Sequence, residues 1–448
     1  MPISDTAVAR AADLVAAARK AGADAADALY VRSQSTAVSV RLGALEDVER
    51  SDGETIGLRL FVGRRSASVS ASDLSDASLG LLVERALAMA REAPEDRYAG
   101  LAPEDRLMRG TVPDVDGDDG GETAPEALRD RALAAEDAAR AVAGVTNSEG
   151  ASASVGRTTI ALATSAGFSG GYATSGHGTS AAVIAGEGGA MQRDYAFRSA
   201  RHLADLEQAA AIGARAGTRA VERLNPIKIG SGAMPIVFDR RVGTGLLGHL
   251  VGAITGSAVA RRTSFLLDAL GERVFDTGVT VVDDPLRVRG LGSRPFDGEG
   301  LSTARRDLVA DGVLTGWLLD SASARQLGLE PTGNATRGLG GPPGAGTSNL
   351  WMAAGSLPVD ALIADIGRGL WITELIGQGV NLVTGDYSRG AAGFLIEDGR
   401  LGPPVAEITI AGNLRDMFRA AVPADDLELA RAVEVPTIRI DGMTVAGA

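Results

Sequence analysis

The sequence has no cysteine. Disulfides, thiolate metal sites and a thiol nucleophile are therefore excluded. Histidine is almost as scarce: His177, His202 and His249 are the only three, and none forms His-Glu-x-x-His or another close ligand pair. A lone His is read as structural. A zinc site needs three or four N, S or carboxylate ligands converging in space, so one belonging to this chain would have to gather widely separated residues. Aromatic residues make up only 4% of 448, which leaves the cores to Ala, Val, Leu and Ile. No apolar run approaches the ~18–20 residues of a membrane span. The segment from Asp5 to Lys20 alternates charge with Ala and Val and lacks the continuous apolar stretch of a signal peptide. No membrane partner is expected, and a cytoplasmic location is. Positive charge is also in deficit, with 44 Lys and Arg against 57 Asp and Glu, a net −13. A field of that sign repels phosphate backbones, so no nucleic-acid partner is expected. Arg240, Arg241, Arg261 and Arg262 make a local basic patch, read first as a solvated face.

What is present is length and glycine. A chain of 448 residues exceeds one typical core, and two domains are expected, 1–230 and 231–448. Residues 4–21 read as a helix capped by Ser4 or Asp5, and 73–92, 126–143 and 204–223 as three more. Segments 36–41 and 55–62 and the alternating stretch 152–200 read as strands. Residues 93–125 break the pattern, and the acidic, glycine-rich run from Pro113 to Pro125 reads as an exposed linker. Beyond 230, a short strand Pro235–Asp239 leads into a helical segment 240–256. Asp311-Gly312 and Asp398-Gly399 sit between apolar strands as hairpin turns, and 338–348 reads as an irregular loop. The expected class is α+β: an N-terminal domain of α/β type with an antiparallel sheet and helices, then a β-rich C-terminal domain.

Signals of chemistry are sparse. No Gly-x-Ser-x-Gly elbow occurs, since Gly230-Ser231-Gly232 is too short. The acids Asp283 and Asp284, and Asp297 with Glu299, do general acid/base work only if one site raises a pKa; turn or cap roles are the plainer reading. Gly248, Gly252 and Gly256 recur every four residues and would leave one helix face bare. Each costs a helix interior ~1 kcal/mol relative to Ala. Close packing inside the chain, a subunit seam or a peptide cleft would each offset that cost.

The same segment, Leu246-Leu247-Gly248-His249-Leu250-Val251-Gly252-Ala253, resembles the TldD/PmbA family, whose members were formerly described as modulators of DNA gyrase. In the catalytic TldD type this helix carries His-Glu-x-x-x-His. Here Gly248 and Ala253 stand at the two His positions and His249 at the Glu position; the Cys ligand near the TldD C-terminus has no counterpart. Further co-linear runs resemble the PmbA (TldE) type: Gly167–Thr174, Ala258–Leu266, Val282–Pro285, Gly290–Gly300, Asp320–Gly328, Val383–Gly393 and Ile408–Leu414. The resemblance implies a two-domain subunit with no zinc ligands or catalytic residue of its own. It would pair with a TldD-type catalytic partner that holds zinc and cuts unfolded or leader-type peptides in a shared cleft. His249, Asp386, Ser388 and Arg389 are the residues expected to face that cleft, with Asp386 and Arg389 expected to pair across a turn. Other readings are a stand-alone, homodimeric peptide- or partner-binding protein, an enzyme using the acids at 283–299 or Asp386 and Arg389, and direct gyrase or DNA binding.

Overall fold

The computed structural model describes residues 5–447. Helix α1 runs Asp5–Lys20; the cap expected at Ser4 lies outside the described residues. Strands β1 (Ala25–Arg41) and β2 (Ala44–Val62) then form one long hairpin, paired from Ala25↔Phe61 to Arg41↔Ala44 with one register shift between Ser39 and Val40. Its two-residue turn, Leu42-Gly43, has positive φ at both positions (51° and 78°), as a tight hairpin turn requires. With β3 (Arg65–Ala71), β4 (Val145–Thr164), β5 (Ser169–Ala185) and β6 (Gln192–Ala200), the hairpin builds a six-stranded sheet in the order β3-β2-β1-β4-β5-β6. All its pairings are antiparallel.

Four helices cover one face of this sheet. Helices α1 and α2 (Asp76–Glu92, capped by Ser75) pack on Ala26, Ala28, Tyr30 and Ile56. Helices α3 (Pro125–Arg140) and α4 (Ala209–Glu222) pack on Val38, Val40, Ala153 and Val183. These contacts use small side chains, so backbones come close. A Cβ at Gly213 or Gly217 of α4 would run into the carbonyls of Ala135 and Ala139 on α3. This is how the domain is built with so few aromatics.

The C-terminal residues form a second six-stranded sheet, ordered 400–413, 386–397, 368–376, 232–238, 438–446, 421–423. A further pairing of 400–413 with 438–446 closes five of these strands into a barrel, which removes exposed edges. Strand β7 (Gly232–Phe238) feeds helix α5 (Arg240–Ile254). The Asp-Gly hairpins form as expected: Asp311-Gly312 joins Ala310↔Val313 and Asp398-Gly399 joins Glu397↔Arg400.

Three expectations change. Helix α5 stops at Ile254, because Thr255 turns extended (φ −68°, ψ 138°) and starts the separate helix α6 (Gly256–Ala260). Gly256 therefore does not share a helix with Gly248 and Gly252. Within the loop 338–348, Gly344–Ala345 pairs with Ala335–Thr336. The acidic run after Pro113 is no free linker. Asp118 binds Arg157 at 2.5 Å, Asp119 meets His177 Nε2 at 2.7 Å, and Asp116 binds Arg289 at 2.6 Å. These partners come from both domains, so the run is a strap between them.

Buried charge and apolar contacts hold the domains together on the face of the first sheet that the helices leave free. Leu29, Leu162 and Phe168 meet Phe296 and Leu301. Beside them the buried Asp27 carboxylate takes Arg59 at 2.5 Å and also contacts Arg337, while Glu299 lies 3.9 Å from Arg59.

Candidate functional site

Strand β7 ends at Phe238, and the next residue, Asp239, caps α5 with its side chain by accepting the Arg241 N–H at 2.9 Å. From that fixed start, α5 buries Leu246, Leu247, Leu250, Ala253 and Ile254 in the barrel core. Its other face carries Gly245, Gly248, His249 and Gly252, the i, i+3, i+4, i+7 spacing of one helical stripe. A Cβ at Gly245 or Gly248 would meet nothing within 4 Å, and one at Gly252 would come 3.0 Å from a Leu382 methyl. The bare stripe thus faces open space over most of its length.

Strand 386–397 runs beside this stripe and alternates faces, with Asp386 and Ser388 exposed and Tyr387 buried. Tyr387 and Arg389 turn toward α5. The Tyr387 ring lies 5.9 Å from the His249 ring, edge to face. Burial, and then the Arg389 charge, push the His249 pKa below its ordinary value, so its imidazole is neutral at pH 7. Burial lifts the Tyr387 hydroxyl to about 12. His249 Nε2 and Arg389 Nε are buried with no hydrogen-bond partner among the described residues. Asp386 does not pair with Arg389. It accepts the Thr384 hydroxyl at 2.7 Å and the Asn413 amide at 3.2 Å on the opposite face. The structure therefore brings His249 and Arg389 together and sets Asp386 and Ser388 apart from them.

Arg389 opens on a cavity of about 330 Å³ between the domains, walled by Thr244 and Gly245 of α5 and by Asp194, Tyr195 and Arg223 of the N-terminal domain. Asp194 anchors that wall. Burial works to raise its pKa, but hydrogen bonds and charge from Arg241 outweigh burial and hold it below the usual carboxylate range, helped by Arg223. Gly248 and Ala253, five residues apart on a regular helix, point about 140° away from each other, Gly248 outward and Ala253 into the core. Among the described residues no three His, Cys, Asp or Glu side chains are grouped to hold a metal ion. The donor set at α5, the single imidazole of His249 between Gly248 and Ala253, does not fit zinc.

Comparison with known proteins gives this arrangement a family. Three family models match in succession: PmbA/TldA metallopeptidase domain 1 over residues 26–90, the central domain over 118–224 and the C-terminal domain over 231–447. Metalloprotease PmbA of Escherichia coli O157:H7 is 39% identical over 95% of this chain and 92% of its own length. The chain belongs to the PmbA/TldD metallopeptidase family. The PmbA homolog of Haemophilus influenzae is 36% identical over 96% of this chain and 94% of its own length. A solved structure of a candidate DNA gyrase modulator from Bacteroides thetaiotaomicron superposes with a TM-score of 0.92 at 29% identity, covering 100% of both chains. TldE from Thermococcus kodakarensis shares the fold, with a TM-score of 0.86 at 22% identity over 98% of this chain and 100% of its own.

In this PmbA/TldD family member, the acids singled out in the sequence sit away from α5. Asp283 accepts Ser348 N and Oγ, each at 2.7 Å, and Asn334 at 3.0 Å. Asp297 accepts three backbone N–H groups, those of Glu299, Leu301 and Ala335. Burial raises the pKa of both and pushes Glu299 up to about 7. Asp283 and Asp297 tie loops within the C-terminal domain, and Glu299 faces Arg59 across the domain seam. The sequence reading missed Asp194, Tyr195 and Arg219. The Arg240-Arg241 doublet is the available signal, which by sequence alone reads as a solvated face. In the structure Arg241 pairs with Asp194 and Arg240 with Glu428. No described helix is long and apolar enough to cross a membrane.

Proposed function

We propose that this chain is a PmbA-type, non-catalytic subunit of a peptide-cutting assembly. It forms one wall of a peptide cleft and leaves the zinc chemistry to a TldD-type partner. One observation carries the reading: α5 keeps its place beside an interdomain cavity, but presents Gly248, neutral His249 and buried Ala253 where the TldD type presents His, Glu and His. The bare glycine stripe gives an extended backbone room to lie along α5. The half-buried, acid-free Arg389 supplies a donor for its carbonyls, in keeping with binding that is largely independent of sequence.

The test compares zinc content and cutting of an unfolded peptide by the chain alone and by the chain co-purified with a His-Glu-x-x-x-His partner. The reading expects zinc and cutting in the pair only. Near-stoichiometric zinc and cutting by the chain alone would overturn it. Peptide binding with no partner recruited would put a stand-alone binding protein in its place.

A further inference from the structure

Next to the Arg389 cavity, and sharing Tyr195 and Arg241 with it, lies a second pocket of about 190 Å³. Arginines from three places converge on it: Arg198 of β6, Arg215 and Arg219 of α4, and Arg240 and Arg241 at the start of α5. Nearly all of these are matched. Arg215 binds Glu207 at 2.7 Å, Arg240 binds Glu428 at 2.9 Å, and Arg241 binds Asp194 at 2.7 Å. Arg198 shares Glu207 and Glu428, at 3.0 Å each. The remaining acids at the pocket are also taken. Glu434 holds Arg431 at 2.8 Å, and Asp239 caps α5.

Arg219 is the exception. Its one hydrogen bond is to the Tyr195 carbonyl, at 3.4 Å, and it has no carboxylate partner among the described residues. Burial, and then the positive charge of Arg241, lower its pKa from the ordinary value and outweigh the opposing charges of Asp239 and Asp194, neither of which is within ion-pair distance. Tyr195 and Phe197 stand beside it on the outer face of β6, half-exposed and stacked with ring centres 6.3 Å apart. A cation with no carboxylate bonded to it, next to two open aromatic rings, suits a carboxylate attached to an apolar body.

We infer that this pocket takes a carboxylate of the bound peptide, with Arg219 as its counter-ion and Tyr195 and Phe197 as the wall for the adjoining side chain. The inference rests on the peptide-cleft reading and adds a specificity element to it.

Binding of a fluorescent, unfolded peptide to the full-length chain, followed by anisotropy, tests this. Three versions are compared: one ending in a free carboxylate, one ending in an amide, and an amide-ended one with Glu as its last residue. The free acid is expected to bind about tenfold more tightly than the amide. That gap should close in Arg219→Gln and partly return in Arg219→Lys. If the Glu peptide alone regains the affinity, the pocket reads a side-chain carboxylate; if the free acid alone does, it reads a chain end. Equal binding of all three versions to the unaltered chain overturns the inference and leaves the cleft reading standing, and this comparison needs no variant to fold. A gap that persists in a folded Arg219→Gln, checked by thermal melting, also overturns it. Absence of binding by every version overturns the cleft reading itself.

Discussion

Arg241 grips Asp194 across the domain boundary with both terminal nitrogens, Nη1 2.7 Å from Oδ1 and Nη2 3.0 Å from Oδ2. Asp194 belongs to the edge strand of the first sheet and Arg241 to the first turn of α5. The pair therefore fixes how the helix sits against the N-terminal domain, and with it both seam pockets. Removing Arg241 takes away both hydrogen bonds of the fork and leaves the buried Asp194 carboxylate with Arg223 alone, 3.3 Å away, at a cost of about 2 kcal/mol. Arg241→Ala is expected to lower stability to urea by about that much. Arg241→Lys should not restore it fully, because an ammonium lacks the two-pronged fork. A loss below about 1 kcal/mol in Arg241→Ala would contradict this account.

Two glycines in the same neighbourhood should respond to alanine with opposite signs. A methyl at Gly248 meets nothing within 4 Å, so Gly248→Ala should gain about 0.5–1 kcal/mol from helix propensity. A methyl at Gly256 collides with Ser323 and Leu319, so Gly256→Ala should lose about 1–3 kcal/mol from overpacking. Urea unfolding of the two variants side by side checks both. Equal effects would show that the stripe is not open at Gly248.

Glu299 gives a pH dependence with a definite sign. Burial, with Asp297 adding to it and Arg59 opposing, raises its pKa from an ordinary 4.5 to about 7. The folded protein then holds a proton that the unfolded chain releases between those values. The contribution of Glu299 to stability therefore falls as pH rises through the window, by about 3 kcal/mol in all. Glu299→Gln should gain on the unaltered protein by roughly that amount between pH 4.5 and pH 7.5 in urea titrations. A difference that stays constant with pH would show that Glu299 is ionised throughout.

With only three histidines in the chain, His249 can be followed by proton NMR. Its titration midpoint is expected below 6.5, since burial and Arg389 both disfavour the cation. The sign of the linkage follows: the neutral ring's contribution is complete above 6.5 and is lost as pH falls through the lowered midpoint. Arg389→Gln removes the nearby charge but not the burial, so the midpoint should move up part of the way. No movement would place Arg389 too far from the ring to share a site with it.

Much of the fold was legible because it depends on neighbours in sequence. The helix periods and the two Asp-Gly hairpins rest on residues a few positions apart. So does the register that places Gly248, His249 and Ala253 against the TldD-type helix. The end of α5 at Ile254 was missed because no Pro or acid run marks it. Thr255 leaves the helix where Gly256 must fit against Ser323 and Leu319, a contact that no local signal announces.

The sequence by itself determined the family, the acidic balance, the absence of thiol ligands and the positions of most helices and turns. These follow from composition and short-range pattern. Tertiary structure decided what the charges do. The acidic run after Pro113 became a strap because Arg157, His177 and Arg289 lie over it. Asp386 and Arg389, three residues apart, were placed on opposite faces of one strand. Arg219 was left with no carboxylate bonded to it among the described residues while the arginines around it were matched. Pairings between residues tens to hundreds of positions apart are set by how sheets and helices pack, because an ion pair or a buried proton depends on distance in space and not on distance along the chain.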